Sequence, residues 1–499
     1  MAYIQLNGTM LQGFSWNLPP DGQHWRRLAH LAPRLAEEGF TSVWMPPAYK
    51  GSAGINDVGY GVYDIWDLGE FDQRGGIPTK YGTREEYQEA VVALQKAGLY
   101  VLADIVLNHR MGADEPQRVM ATEVEGGNRN QPIGGPRPIK AWTKYTFPGR
   151  DGAFDDFIWD YHCFKGVDYD EIQHHNGIFL LDGKHWDEDV DHENGNFDYL
   201  MGTDIDLHNE DVYAQLKKWG TWYLNVTGVD GIRLDAIKHM SRDFYVRWVN
   251  DMRKATGSEL FCVGEYWGFH AQQLMDYLGA EKTMSLFDVP LHFKFFNASK
   301  NPEHIDFQHM FDDTLVGVDP VHAVTFVDNH DTQPNQSLES TVDHWFKPVA
   351  YALILLREAG YPCVFFADLY GLPNDRIPAV AELPLLLEIR RRFAFGHQHD
   401  YFDDPDLVAW VRSGDDKHEN SGCVVVLSSR DGSEEPVEKR IRLGEKHAGE
   451  KWLCVLGEGR GPVEIDEEGY ATFVTGNTTL SVFLRVEAAR SLNNIPINV

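Results

Sequence analysis

An α/β protein built on a (β/α)8 TIM barrel, with an irregular β-rich insertion after the third strand and an antiparallel β-sandwich at the C-terminus, is the fold class this sequence predicts. Three observations predict it. Short apolar strand candidates alternate with amphipathic helical stretches as far as about residue 395, the pattern of parallel strands joined by helical crossovers. The gap between the third and fourth candidates far exceeds the roughly 2 to 6 residues of an ordinary βα loop, so an extra unit is inserted there. Beyond about residue 396 the helical period is gone and only strand-like segments remain.

The barrel candidates, in order, are MLQGFSW (10–16), TSVWMPP (41–47), YVLADIVLNH (100–109), GIRLDA (231–236), FCVGEYW (261–267), MSLFDVP (284–290), AVTFVDNHD (323–331) and YPCVFFADL (361–369). Eight such strands separated by helices close a barrel whose chemistry sits at the C-terminal strand ends. The intervening helices have the right period: in DVYAQLKKWGTWYLNVTG, Val212, Leu216, Trp219 and Tyr223 fall on one face. The insertion shifts toward Gly, Asn, Asp and aromatics (EGGNRNQPIGGPRP, DDFIWDYHCFKGVDYD, KHWDEDVDHENGNFD). That composition predicts irregular structure in need of support, which a metal ion supplies well. The last segments, LVAWVRS, CVVVLSS, KRIRL, KWLCVL, ATFVTG and TLSVFLRV, read as a small antiparallel sandwich, with Leu480, Val482, Leu484 and Val486 alternating along the final strand. The expected boundaries are 1–109 with 209–396 for the barrel (domain A), 110–208 for the insertion (domain B) and 397–499 for the sandwich (domain C), with a loosely attached tail after about Glu487.

Bulk properties narrow the partners. The chain has 499 residues, of which 43% are hydrophobic, enough for two or three cores. A net charge of −31 disfavours nucleic acid and anionic membranes and suits an uncharged substrate. The N-terminal MAYIQLNGTMLQGFSW has neither a basic nor an apolar leader region and runs toward the first strand. The most apolar run, 348–356, ends at Arg357 and Glu358, well short of the ~20 residues that cross a bilayer. Five scattered cysteines with no metal-type spacing look like free thiols, and a cytoplasmic location and a monomer are expected.

The chemistry is organised around GVDGIRLDAIKH (228–239). In a strand, Arg233 and Asp235 share one face, while Ile232 and Leu234 share the other. A buried carboxylate costs several kcal/mol unless paired, so the Arg233 guanidinium holds Asp235 ionised, as a nucleophile must be. Read alone, Asp235 is equally a helix cap. Its partners argue otherwise: Glu265 closes the fifth strand and Asp331 the seventh, so three carboxylates converge on one barrel mouth. A nucleophile and an acid about 5 to 5.5 Å apart are the equipment of a retaining glycosidase, and a third carboxylate favours the charged transition state.

DIVLNH (104–109), GIRLDAIKH (231–239), GEYW (264–267) and FVDNHD (326–331) resemble, in order and spacing, the four signature regions of the α-amylase family, glycoside hydrolase family 13. LQGFSWNLPPDGQHWRRL, DVGYGVYDIWDLGEF, TKYGT and NGNFDYLMGTDID bring the resemblance closest to the bacterial liquefying and intracellular α-amylases. It implies retaining hydrolysis of internal α-1,4-glucosidic bonds in starch, glycogen and maltodextrins. A 4-α-glucanotransferase on the same machinery, or a non-catalytic glucan-binding protein, is the alternative. Asp235 then matches the nucleophile, Glu265 the general acid and base, and Asp331 the transition-state stabiliser. Arg233 would orient Asp235, His109 and His330 would hydrogen-bond the sugar at the cleavage site, and Tyr63 would stack beneath it. Lys238, His239 and Trp267 match the leaving-group side, and Trp16 and Gln333 are further lining residues. Asn108, Asp198, Asp204 and the backbone carbonyl of His239 match a structural calcium site. In the liquefying relatives a second calcium and a sodium lie beside it. Here Lys165 and His208 stand where those relatives carry aspartates, while Asp187 and Asp206 are kept. The expectation is one calcium and no adjacent cluster, with the Lys165 ammonium neutralising Asp187, Asp204 or Asp206.

Overall fold

The computed structural model describes residues 7–372, 377–430, 437–476 and 479–492. Eight parallel strands close into a barrel in sequential order: β1 (Met10–Gln12), β2 (Ser42–Met45), β3 (Tyr100–Ile105), β4 (Gly231–Leu234), β5 (Phe261–Gly264), β6 (Ser285–Phe287), β7 (Ala323–Phe326) and β8 (Tyr361–Phe365), with β8 pairing back onto β1. Each of the eight sequence candidates contributes one strand. The strands are shorter than the apolar runs because every run continues past the last ladder bond into the loop at the barrel mouth, where the polar residues lie.

Local signals set the helices between them. Helix α1 (His24–Glu37) follows β1, and α2 (Arg84–Lys96) starts at a Thr83 and Glu86 capping box. Helix α3 (Glu210–Thr227) starts where the Asn209 side chain accepts from the Asp211 and Val212 amides, and it stops at Gly228 in the left-handed region, φ 67°. Its predicted face of Val212, Leu216, Trp219 and Tyr223 is buried against the barrel. Helices α4 (Arg242–Thr256), α5 (Ala271–Leu278), α6 (Val289–Lys300), α7 (Lys347–Leu355) and α8 (Leu383–Arg392) continue the ring.

The insertion is more regular than its composition suggests. A seven-stranded antiparallel arrangement runs from His109–Arg110 through Thr203–Ile205, Phe164–Asp170, His175–Leu181 and Glu115–Glu125 to Asn128–Pro132, with Arg137–Lys144 pairing on Glu115–Glu125. The Gly- and Asn-rich tracts fall in its turns. Arg110, buried, stacks 3.9 Å from the Trp159 ring and donates to the Tyr63 carbonyl at 3.1 Å, which seats a guanidinium in a core of aliphatic and aromatic side chains such as Val119, Ile139, Phe164 and Phe179.

At the C-terminus, β9 (Leu407–Arg412) and β10 (Cys423–Ser428) lie in a six-stranded antiparallel sheet, and Glu438–Arg442 pairs with Tyr470–Val474 in a second sheet. Between the sheets lie Leu407, Ala409, Val411, Val424, Val426, Phe473 and Phe483. The opposite faces of the same strands, through Val408, Trp410, Val425, Leu427, Val482 and Leu484, join the barrel core. Period-2 alternation is therefore apolar on both faces. Val486 departs from the expected alternation: it opens the helix Val486–Arg490, whose Ala488 and Ala489 are buried. The chain past Glu487 is thus packed as far as Leu492, which is also buried, and the rest of the expected loose tail, 493–499, lies outside the described residues, as does 1–6 ahead of β1. No helix among the described residues is long and apolar enough to cross a membrane.

Candidate active site

The parallel ladder runs one bond beyond the strands and so places the first two carboxylates. The Asp235 amide donates to the Ile105 carbonyl at 3.0 Å, and the Glu265 amide donates to the Leu234 carbonyl at 2.9 Å. Asp235 and Glu265 thereby stand side by side at the C-terminal ends of β4 and β5. Ala236 then takes a left-handed turn, φ 51°, unusual for a residue with a Cβ, and its amide donates to Glu265 Oε2 at 2.9 Å. Local strain buys a backbone donor aimed at a catalytic-type carboxyl.

Arg233 is the hub. Its Nη1 donates to Asp235 Oδ1 at 2.6 Å and to Asp104 Oδ1 at 2.9 Å, and its Nη2 donates to Glu265 Oε2 at 3.2 Å. Asp104 lies opposite Arg233 across the β3–β4 ladder. Its other oxygen accepts from the Tyr60 hydroxyl at 2.8 Å and the Trp44 indole at 3.0 Å. Sequence reading did not single out Asp104, although it opens the DIVLNH motif. The available signal was a lone acid inside an apolar strand at the register of Arg233.

Three acids around one guanidinium cannot all be equally acidic. Burial, opposed by Arg233 and reinforced by the charges of Asp235 and Asp331, pushes the Glu265 carboxyl up to about 8. Burial raises Asp235 as well, but Arg233 opposes this through both its charge and a direct hydrogen bond. Asp331 is pushed up to about 7 by burial, against Arg233. Glu265 is thus favoured in the acid form, beside an Asp235 that has the shortest bond to Arg233.

The remaining predicted residues gather in three groups. Around Asp331, the His330 ring lies with Nε2 3.3 Å from Asp331 Oδ2, and the Gln12 amide donates to its Nδ1 at 2.9 Å, which leaves the ring proton on Nε2. Burial and Arg233 keep this imidazole neutral. Trp16 stacks on Tyr60 at 6.0 Å and on His330 at 6.1 Å, and its amide donates to Gln333 Oε1 at 3.2 Å. On the opposite side, Lys238 donates to Glu193 at 2.7 Å and to the Trp267 carbonyl at 3.0 Å, while His239 Nδ1 bonds the Phe197 carbonyl at 2.8 Å. A cleft of about 740 Å³ opens there, lined by Lys238, Tyr266 and Phe269.

Tyr63, expected beneath the sugar at the cleavage site, and the nearby Tyr60 differ in what covers them. Tyr63 is buried, with its hydroxyl donating to Asp114 at 2.8 Å and the Arg74 guanidinium 3.8 Å over its ring, so that ring face is already covered. Tyr60, three residues earlier, is only partly buried and lies against His330 at 5.0 Å with its hydroxyl on Asp104. His109 is pinned, with Nε2 on the Tyr60 carbonyl at 2.8 Å, so a bond from that atom to a sugar has to displace an internal one.

The metal-type residues form a separate buried cluster where the insertion meets the barrel. Lys165 Nζ donates to both oxygens of Asp198, at 2.7 and 2.6 Å, and lies 3.0 Å from Asp187 and 3.7 Å from Asp204. Asp206 is taken by Lys184 at 2.6 Å instead, and His208 lies 3.2 Å from Asp187. One ammonium thus faces three buried carboxylates. Among the described residues Asp204 Oδ2 is buried with no hydrogen-bond partner, and burial raises its carboxyl despite Lys165. A bare buried carboxylate oxygen fits a hard dication, and Asn108 is on the adjoining segment, where its carbonyl accepts from the Ile205 amide at 3.0 Å. Both Asp198 oxygens accept from the lysine, and no group of three or more His, Cys, Asp or Glu side chains that could hold a metal ion occurs among the described residues.

Residues 33–455 match the family described as "Alpha amylase, catalytic domain". The chain is 47% identical over 489 residues to the α-amylase of Bacillus licheniformis, covering 97% of this chain and 94% of that one. It is 43% identical over 494 residues to the cytoplasmic α-amylase of Escherichia coli (strain K12), covering 96% and 99%. A solved Anoxybacillus α-amylase superposes with a TM-score of 0.64 at 15% identity, covering 96% of this chain and 98% of that one, a likeness of fold.

Proposed function

The chain belongs to the α-amylase family, and from that premise we propose how its barrel mouth cleaves internal α-1,4-glucosidic bonds of starch, glycogen and maltodextrins. The observation that supports the mechanism is the Arg233 hub, which holds Asp235 as an anion at 2.6 Å while Glu265, reached only by the weaker 3.2 Å bond, keeps its proton. Glu265 donates that proton to the glycosidic oxygen as an Asp235 oxygen attacks the anomeric carbon. The carbon–oxygen bond to the leaving sugar breaks and a covalent glycosyl-enzyme forms. Glu265, now ionised, takes a proton from water, which attacks the same carbon and frees Asp235 with overall retention. Asp331, with His330 beside it, opposes the positive charge that develops on the ring.

Tyr60 rather than Tyr63 is the aromatic platform in this reading, with Trp16, Gln333 and His330 around it. Lys238, His239 and Trp267 flank the leaving glucan. We take the unit boundaries at 109/110, 208/209 and 396/397. Calcium, which the family resemblance implies, belongs beside Asn108, Asp204 and the His239 carbonyl, with Asp198 shared with Lys165. One such ion would tie the insertion to the barrel. Five unpaired cysteines favour a reducing compartment, the cytoplasm, and the working unit is taken as a monomer.

Reducing-end release from soluble starch, followed by product analysis on maltoheptaose, tests the reaction. Shorter products alone are expected. Products longer than the substrate as the main outcome would instead establish transfer.

A further inference from the structure

At the opposite end of the barrel from the carboxylates lies a cavity of about 380 Å³ whose walls include Gly8, just before β1, and Tyr361, the first residue of β8. Two guanidiniums line it. Arg390 comes from α8 of the barrel and Arg412 from the end of β9 in the C-terminal sheet. They are 3% and 2% exposed. Buried cations are ordinarily paired with carboxylates, because removing a charge from water costs several kcal/mol. These two have only neutral acceptors among the described residues. Arg390 donates to Thr9 Oγ1 at 3.0 Å, to the Gly8 carbonyl at 2.8 Å and to the Leu355 carbonyl, and Arg412 Nε donates to the Gly396 carbonyl at 3.0 Å. Among the described residues, Arg412 Nη1 is buried with no hydrogen-bond partner.

The acids in the cavity wall, whose charges favour the protonated Arg412, direct their hydrogen bonds elsewhere. Asp415 accepts from the Lys417 amide at 3.0 Å and from His418 Nδ1 at 2.8 Å, and Glu358 accepts from the Gln398 amide at 3.1 Å. Burial and then the Arg412 charge bring Arg390 down to about 9.

We propose that this cavity is an oxyanion site, filled by a phosphate group that both guanidiniums hold. Paired guanidinium forks match tetrahedral phosphate oxygens, and a neutral glucan would bring no anion to either guanidinium. The cavity exceeds a bare ion, so a phosphate monoester fits the same place. Because Arg390 belongs to the barrel and Arg412 to the sheet, the bound anion ties the two together and stabilises the whole chain by mass action.

The test is calorimetric titration of the full chain with inorganic phosphate, with glucose 1-phosphate, and with sodium chloride at matched ionic strength. Saturable binding of one phosphate per chain, absent with chloride, is expected, together with a rise in the melting midpoint. Tighter binding of glucose 1-phosphate identifies the monoester as the occupant, and equal binding identifies free phosphate. Arg412→Gln should weaken binding by about tenfold or more, the loss of a charge-assisted bond. Arg412→Lys, which keeps the charge and loses the fork, should fall between. Wild-type and variant starch hydrolysis should match, since the site is remote from the carboxylates. No saturable phosphate binding by the wild-type chain overturns the proposal, and so does undiminished binding by a folded Arg412→Gln. If that variant does not fold, a wild-type crystal soaked in tungstate decides: density between the two guanidiniums supports the site, and none there refutes it.

Discussion

Arg233 decides how the acids of this site divide their work, because one guanidinium placed among Asp104, Asp235 and Glu265 stabilises most the anion it approaches most closely. Asp235→Asn removes the nucleophile at nearly constant volume, so turnover should fall by several orders of magnitude while binding of maltoheptaose stays measurable by calorimetry. Normal turnover would end this mechanism. The pH profile carries a second test. Glu265 must be protonated to act as the acid, and its carboxyl is pushed up to about 8, so kcat/KM should fall as pH rises through that region. The Asp331 charge is among the causes that raise Glu265. Asp331→Asn should therefore move the alkaline limb of the residual activity to lower pH, and an unmoved limb would assign that limb to another group. The three acids were legible in the sequence because each ends an apolar strand, where a surface carboxylate has no reason to recur. Asp104 and Gln12 were not legible: each is one polar residue inside a strand, and only the barrel's closure shows that it meets Arg233 or His330. Tyr60 and Tyr63 lie in an aperiodic loop, so neither spacing nor propensity says which ring faces the site. Tyr60→Leu should lower kcat/KM by roughly tenfold or more, through loss of aromatic contact, and Tyr63→Leu by less. The reverse order would restore Tyr63 as the platform.

Among the elements, the insertion sets one strand-borne ammonium among three buried carboxylates. Lys165 lies in the strand Phe164–Asp170, and its ammonium reaches Asp187, Asp198 and Asp204 on segments that return to the barrel. A charge carried on a strand needs no uptake from solution, but it offers only one positive charge against three carboxylates. Lys165→Met removes that charge and leaves the acids facing one another. Breaking a buried pair in this way costs about 3–5 kcal/mol. The melting midpoint in chelator should drop accordingly, and calcium should recover more of it in the variant than in the wild type. Elemental analysis should find one calcium in the wild type and more in Lys165→Met. An unchanged midpoint in chelator would mean the lysine is incidental. Composition foretold that the insertion needs support, yet it did not foretell a seven-stranded arrangement, because Gly and Asn mark turns without revealing which segments pair across them.

For the whole molecule, the decisive feature is a sheet that is apolar on both faces. Read from the sequence, the C-terminal strands form a small antiparallel sandwich, and half of each strand does face a core between two sheets. The other half, Val408, Trp410, Val425, Leu427, Val482 and Leu484, is continuous with the barrel. A run such as VVVL shows no alternation, so it cannot reveal that two different partners cover its two sides. The junction is also pinned by polar contacts. The Trp410 indole donates to the Leu356 carbonyl at 3.2 Å, and Arg357 makes a bidentate pair with Asp400 at 2.9 and 3.0 Å. The same guanidinium sits 4.3 Å over Phe311 and 4.9 Å over Phe402. Separating the sheet from the barrel exposes both apolar faces at once, so neither part retains a complete surface when the other unfolds. Scanning calorimetry of the full chain should therefore show the barrel and the C-terminal sheet melting in one transition. Trp410→Ala, a deletion from a packed interior costing about 3–5 kcal/mol, should lower that single midpoint without splitting it. Two resolved transitions, with starch hydrolysis surviving the first, would show instead that the sheet is a separable cap.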